Sequence, residues 1–456
     1  MYDNRKDGMR LNICNQNENS VGRYLNPRNI NLPSGYKIEV FAGGLDTPSS
    51  ILFTEDGDLL IASSGDITGN PTISRLSNGE FNIIADKFNV PITGINYLNG
   101  KIYVSHMGTI TVLKEDGFRQ DIITGLPSYG DYSNSRVAFG PDGKMYFGQG
   151  TATNSGVVGL DNLWVFNQPN FHDSPGSYVM LNGQNFETRN MMLKTSYEIA
   201  YTGAFSPYGE PNMPFEVRKG VTKASGSILR VNLDGTELEL VAWGFRSPSY
   251  LKFDKENRLF VSNNGFDIRG SRPIANAPDE FQLVTPGEWY GWPDYAGGEP
   301  VTSARFKPEG RLQPEFLLVN HPSTPPRPYA SFPPTATIIG FDFNYNSSFG
   351  QYGDVYIAEF GSVILRTYED SLAQYSVTGH KVSKIDINTG GITTFAINKS
   401  GFSASITHEG GFARPSDIAF GPDGAMYVVD MGINTVEDPN AFIPNTGVIW
   451  KITKTD

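Results

Sequence analysis

One hairpin, written twice almost letter for letter, limits what this chain can fold into. Residues 137–148 read VAFGPDGKMYFG, and residues 418–429 read IAFGPDGAMYVV. In each, a short apolar run enters a GPDG turn whose glycines suit positive φ, and a second apolar run returns. Looser copies begin at Ile51 (ILFTEDGDLLIAS), Gly94 (GINYLNGKIYVSH), Tyr250 (YLKFDKENRLFVSN) and Ser347 (SSFGQYGDVYIAE), which makes six hairpins in all.

Anchored on Leu60, Tyr103, Tyr146, Phe260, Tyr356 and Tyr427, the copies are separated by 43, 43, 114, 96 and 71 residues. A propeller blade takes about 40–50 residues, so these gaps are blades with insertions. Second hairpins fall where a blade needs them: TISRLSNGEFNIIAD, TITVLKEDGFRQDII, SILRVNLDGTELELVAW and KVSKIDINTGGITTFAI. The pattern predicts an all-β, six-bladed β-propeller of four-stranded antiparallel blades. The last blade has only GVIWKIT for its third strand, and the unpartnered GYKIEVFAG near the N-terminus can supply the fourth. Pairing residues near 36–42 with those near 447–453 would close the ring and remove an exposed sheet edge.

Composition agrees with many turns and few helix surfaces. The chain carries 50 glycines and 30 prolines in 456 residues, and only 18% of its residues are charged, against roughly 25% in ordinary soluble domains. Aromatic residues make up 12% and suit β-sheet cores. The only cysteine, Cys14, leaves no internal disulfide. A formal charge of −12 argues against nucleic acid or anionic membranes as partners. No apolar run approaches the about 18 residues of a membrane span. The first 20 residues lack the apolar core of a secretory signal, and the compartment stays open.

Residues 1–34 read as a polar extension and 35–456 as one propeller domain with long inserts at 150–226 and 262–300. Blade geometry puts the GPDG turns on one face. The opposite face is expected to collect PSYGDYSN before Arg136, GFRSPS from Gly244, GGFARPS from Gly410, SHMG from Ser105 and both inserts. Insert 150–226, rich in Asn, Gly, Pro and aromatics, reads as a lid or wall over that face or as packing decoration.

Taken together, GFRSPSYLKF, NNGFDIRG, PDEFQLVTPGEWYGWPDYAGG and the two FGPDG hairpins resemble the glucose/sorbosone dehydrogenase family over roughly Gly35 to Lys451. The resemblance implies a six-bladed quinoprotein propeller that uses pyrroloquinoline quinone (PQQ) and Ca²⁺ to oxidise a small sugar, an aldose or related alcohol or aldehyde. It leaves the electron acceptor unnamed, and such relatives are mostly exported. The chemistry suits the residue types: calcium takes oxygen ligands, and a tricarboxylate takes guanidinium forks. By this resemblance Arg246 stands at the quinone side, followed by Ser247. Gly265 and Phe266 match the carbonyl pair for calcium, Asp279 and Glu280 the acidic pair near it, and Arg414 a carboxylate-binding arginine.

The chain departs from the family's pattern at the catalytic segment. Where the family reads Asp-His-Gln-x-x-Arg, this chain reads Asp131, Tyr132, Ser133, Asn134, Ser135, Arg136, so tyrosine replaces the proton-accepting histidine. Ser247 replaces an asparagine, PITGINY lacks the family's glutamine, a lysine is replaced near Gly361, and the loop from Gly265 to Asp279 is longer. His106, one of five histidines, is the substitute base suggested by topology. Two other readings stay open: a non-catalytic propeller binding carbohydrate or protein through its aromatic rim, and a calcium-dependent lactonase-like propeller.

Overall fold

The computed structural model describes all residues except 1–8, 11–21, 78, 115–116, 194–197, 363, 366–373, 376, 436–440 and 456, so Cys14 and much of the N-terminal extension lie outside the described residues. The fold is a six-bladed β-propeller of antiparallel sheets. Among the described residues the longest α-helix is Ala404–Thr407, and no helix is long and apolar enough to cross a membrane.

The chain divides into two compact units, residues 1–102, 340–363 and 380–456 in one and residues 103–339 and 364–379 in the other. The first unit holds the closing blade. Here Tyr36–Leu45 lies against Gly447–Lys454, which continues into Met426–Asp430 and Pro415–Phe420. The register runs from Tyr36 opposite Lys454 to Leu45 opposite Gly447, as the unpartnered ends of the sequence required. Val448, Ile449, Trp450 and Ile452 are buried beneath this seam.

The GPDG turns show why that tetrapeptide recurs. Gly143 and Gly424 have φ of +74° and +75°, where L-residues are strained. Asp142 accepts from the Tyr146 hydroxyl at 2.7 Å, and Asp423 accepts from Tyr427 at 3.0 Å. The first glycine makes room for that ring, since a Cβ at Gly140 or Gly421 would sit 2.5 or 2.6 Å from the tyrosine Cε2. Turn and strand are thus locked by one acid, one tyrosine and two glycines.

One hairpin differs from the sequence reading. The entering strand of the fifth blade is Ile338–Phe343 rather than the segment at Ser347, and it pairs in one sheet with Val355–Glu359. Residues 344–354 form a long turn held by Asn344, which donates from its side chain to Gln351 O at 3.0 Å and from its backbone to Asp354 O at 2.8 Å. Its polar composition resembles a short-turn hairpin start, which is why the pattern slipped.

In the second unit the third blade pairs Met145–Gln149 with Ser227–Val231, so insert 150–226 leaves and returns between adjacent strands. The insert carries its own short ladders, Val179–Met180 with Val217–Arg218 and Asn185–Arg189 with Ile199–Gly203. Its Val157, Leu181 and Phe205 share a buried cluster with Trp289, Trp292 and Phe306 from the following blade. The segment read as insert 262–300 contains a blade strand, Asp279–Leu283, paired to Leu259–Asn264 on one side and Ala330–Phe332 on the other.

Candidate functional site

The polar run before the first GPDG hairpin folds as a braced loop within the second unit. Asn134 is fully buried, and its Oδ1 accepts from Gly108 N at 2.9 Å and Ser128 Oγ at 3.0 Å. Ser135 Oγ accepts from Gly148 N at 2.8 Å, and Arg136 donates to the Tyr250 hydroxyl at 2.7 Å. These bonds fix the backbone that carries Asp131 and Tyr132.

Tyr132 and Arg246, matched by resemblance, do meet. The Arg246 guanidinium lies 4.6 Å over the Tyr132 ring, a cation–π contact. Arg246 is 3% exposed, and it donates through Nη2 to Asp267 Oδ2 at 2.5 Å and through Nε to Asn154 O at 3.3 Å. The backbone amides of Arg246 and Ser247 both donate to Asn263 Oδ1 at 3.0 Å, which holds the strand start in place.

A second arginine, absent from the sequence assignments, organises the cluster. Arg269 donates to Asp131 Oδ2 at 2.7 Å, Asp161 Oδ2 at 2.6 Å and Asp267 Oδ2 at 3.2 Å. It also donates to the Tyr132 hydroxyl oxygen at 3.0 Å. Asp131 is held from its other side by Asn162 and Trp164, each at 3.0 Å. Burial opposes the charge on Arg269, but the surrounding carboxylates of Asp131, Asp267 and Asp161 hold its pKa above the ordinary range. Burial likewise opposes the charge on Asp267, yet Arg246 and Arg269 hold its carboxyl below the ordinary range. The segment NNGFDIRG that carries Asp267 and Arg269 was visible in the sequence, but only its glycine and phenylalanine had matches.

Burial pushes the Tyr132 phenol up to about 12, although Arg246 and Arg269 pull the other way. Its oxygen already accepts from Arg269, so at neutral pH it presents an O–H donor and not a base. His106 offers no ready replacement. It is 3% exposed, its Nε2 meets Thr111 Oγ1 at 2.8 Å inside its own blade, and burial lowers its pKa to about 4.

A small cavity of about 10 Å³, lined by Arg246, Asn264, Gly265, Phe266 and Glu280 among others, lies beside this cluster. That is room for roughly one water or one ion. Asn264 Oδ1 is buried there without a hydrogen-bond partner. An orphaned amide oxygen in a cavity lined by Gly265 and Phe266 suits a hard cation such as Ca²⁺, and the guanidinium that lines the same cavity suits a quinone oxygen. Arg269 is already saturated by carboxylates, so it adds no charge for a tricarboxylate.

Asp279 and Glu280 brace this region through N–H donors. Glu280 accepts from Asn263 and Gln282 at 3.1 Å each and from Gly297 N at 2.5 Å. Asp279 accepts from Gly265 N at 2.7 Å and Thr337 N at 2.5 Å, and burial pushes its carboxyl up to about 7. A folded-state value above the ordinary 3.8 means that Asp279 stabilises the fold fully below about pH 4 and that this contribution is lost as pH rises toward 7. Urea titrations from pH 4.5 to 8 should show stability falling with pH, and Asp279→Asn should flatten part of that slope. Buried Asp173, pushed up to about 6, adds a slope of the same sign. An unchanged profile in the variant would remove Asp279 as its source.

Arg414 belongs to the first unit. It is 3% exposed, donates to Gly361 O and to Asn434 Oδ1 at 3.2 Å, and stacks 4.6 Å over Phe360. Burial lowers its pKa to about 10. Among the described residues no group of three His, Cys, Asp or Glu side chains is placed to hold a metal.

Fold and site together define a propeller with an arginine, a phenol and a carboxylate cluster, Tyr132 and Arg246 brought by loops between blades and Asp161, Asp267 and Arg269 by loops between strands of one blade. No family profile matches the chain. A curated protein, quinoprotein glucose dehydrogenase B of Acinetobacter calcoaceticus, is 25% identical over 188 residues, which span 39% of this chain and 29% of that relative. The calcium structure of the Trichoderma reesei carbohydrate-active enzyme of family AA12 matches with a TM-score of 0.57 at 14% identity, covering 95% of this chain and 98% of that one. The PQQ-bound aldose sugar dehydrogenase of Streptomyces coelicolor matches with a TM-score of 0.51 at 17% identity, covering 93% and 100%. The resemblance read from the motifs is therefore found again in a curated sequence, and the fold is shared with these solved structures.

Proposed function

We propose that this chain is a sugar dehydrogenase-like oxidoreductase of the quinoprotein type, acting on an aldose or a related alcohol or aldehyde, with turnover lowered by Tyr132. The observation that carries this reading is the meeting of Tyr132 with Arg246 beside the Gly265–Phe266 cavity, as the carried-over motifs require. When bound, PQQ would take up hydride from the sugar and Ca²⁺ would polarise it. Arg246 would hold the quinone side, and Asn264 with Gly265 and Phe266 would hold the cation. The resemblance also gives Arg414 a carboxylate of the cofactor, and Arg414→Ala tests that separately through PQQ affinity.

Tyr132 is where the chemistry weakens. A positioned general base contributes about 10²- to 10⁴-fold in rate, and a phenol that keeps its proton at neutral pH cannot supply it. Titrating purified protein with PQQ and Ca²⁺ should give saturable quinone absorbance, followed by slow dye reduction with aldoses. Tyr132→His should raise that rate at least about tenfold, with Ser247→Asn added if the quinone needs a further donor. If neither protein takes up PQQ, the enzyme reading falls.

The protonated Tyr132 itself favours the second reading, a non-catalytic propeller that binds carbohydrate or protein. Sugar binding without PQQ uptake would establish it. A lactonase-like centre would need several acidic or amide side chains converging on a cation, and the carboxylates that do converge, Asp131, Asp161 and Asp267, are spent on Arg269.

A further inference from the structure

The first unit contains a second concavity, none of whose lining residues belongs to the cluster around Tyr132 and Arg246. A pocket of about 680 Å³ opens at the end of the closing seam and the fifth blade, within the range typical of small-molecule sites. Its floor is aromatic. Tyr36 and Tyr356 each meet Phe395 edge-on, with ring centroids 5.0 and 4.8 Å apart. The Tyr36 hydroxyl is spent on Phe349 O. Gly350 permits the close fit, since a Cβ there would lie 2.8 Å from the Tyr356 hydroxyl. Tyr352, 46% exposed, supplies a further aromatic surface among the lining residues.

The pocket's charge runs against that of the whole protein. In a chain of formal charge −12, the lining residues include two lysines and no carboxylate. Lys384 is tethered by Asp354 at 2.9 Å. Lys454 Nζ lies 5.4 Å from the Tyr36 ring centroid and has no carboxylate partner among the described residues. Thr393, Thr394 and Gln351 add hydroxyl and amide groups that can bond to ligand oxygens.

Aromatic faces, hydroxyl and amide partners and a free ammonium select together for one chemistry. The exposed Tyr352 ring, standing over a packed aromatic floor, suits the C–H face of a sugar ring, the hydroxyls and amide suit its oxygens, and the ammonium suits an anion. We propose that this pocket binds an acidic saccharide, a uronate-bearing unit whose ring lies against the exposed Tyr352 and whose carboxylate pairs with Lys454. Tyr36 and Lys454 are opposite residues at one end of the closing strand pair, so the ligand bridges the two ends of the chain and tightens the seam.

The test uses trigalacturonate, neutral maltotriose and inorganic phosphate as probes in isothermal titration and thermal melting of the full chain. Trigalacturonate should bind and raise Tm by at least about 2 °C at saturation. Lys454→Gln and Tyr352→Ala should each weaken that binding at least tenfold while leaving the ligand-free Tm unchanged. Maltotriose should bind at least tenfold more weakly, and equimolar phosphate should not displace the saccharide. Equal affinity for maltotriose, displacement by phosphate, or variants that bind like the parent would overturn the proposal. None of these readouts involves Tyr132, Arg246 or PQQ.

Discussion

Removing residues 1–45 should leave a chain that no longer melts cooperatively. The lost strand covers Val448, Ile449, Trp450 and Ile452, all at most 1% exposed. Exposing a buried side chain of this size costs about 1.5–3 kcal/mol, so these four alone approach the about 5–15 kcal/mol that holds an average domain together. Circular dichroism melting and gel filtration would report the loss as a broad transition and an expanded or aggregated species. A truncated chain melting within about 5 °C of the parent would show that the seam does not hold the fold together.

Asp430→Ala should be the most damaging single substitution in the first unit. Its fully buried carboxylate accepts from Arg23 at 2.8 Å, from the amides of Ala413, Arg414 and Gly432 at 2.8, 2.9 and 3.1 Å, and from the Trp450 indole at 3.5 Å. The Arg23 and Asp430 side chains are 2% and 0% exposed. Removing one partner of a buried ion pair costs about 3–5 kcal/mol because the other charge is stranded. Adding Arg23→Met should recover part of that loss, since it removes the stranded cation. Additive losses in denaturant titrations would mean that the two residues act separately. The same contact means that a cut after residue 25 removes a buried anchor, so it would not spare the fold.

The ring was legible because its signals are local and repeated. GPDG turns, alternating apolar runs and two orphan strands each point to the same architecture, and the pairing of the two orphan strands follows from the lack of any other partner. The fifth blade slipped because the 344–354 turn imitates a short hairpin in composition alone. Within the site, Tyr132 and Arg246 could be placed because they sit beside recognisable strands. Asp161, Asp267 and Arg269 could not, since they come from irregular loops whose long-range pairings leave no periodic trace. Arg23 was hidden for the same reason: its partner, Asp430, lies 407 residues away.

That closing seam also sets a timetable for synthesis. On a ribosome the strand Tyr36–Leu45 emerges long before Gly447–Lys454, and at about 5–20 residues per second the roughly 400 intervening residues take about 20–80 s to appear. During that interval the early strand has no edge to pair with, and the last blade is a two-stranded fragment with Met426 and Val428 uncovered. The nascent chain therefore carries an adhesive open edge until Gly447–Lys454 has been made. A circular permutant that begins inside a blade turn, such as at Gly143, would make the two strands neighbours in the chain, joined through residues 455–456 and 1–35, and should spare the chain that exposed wait.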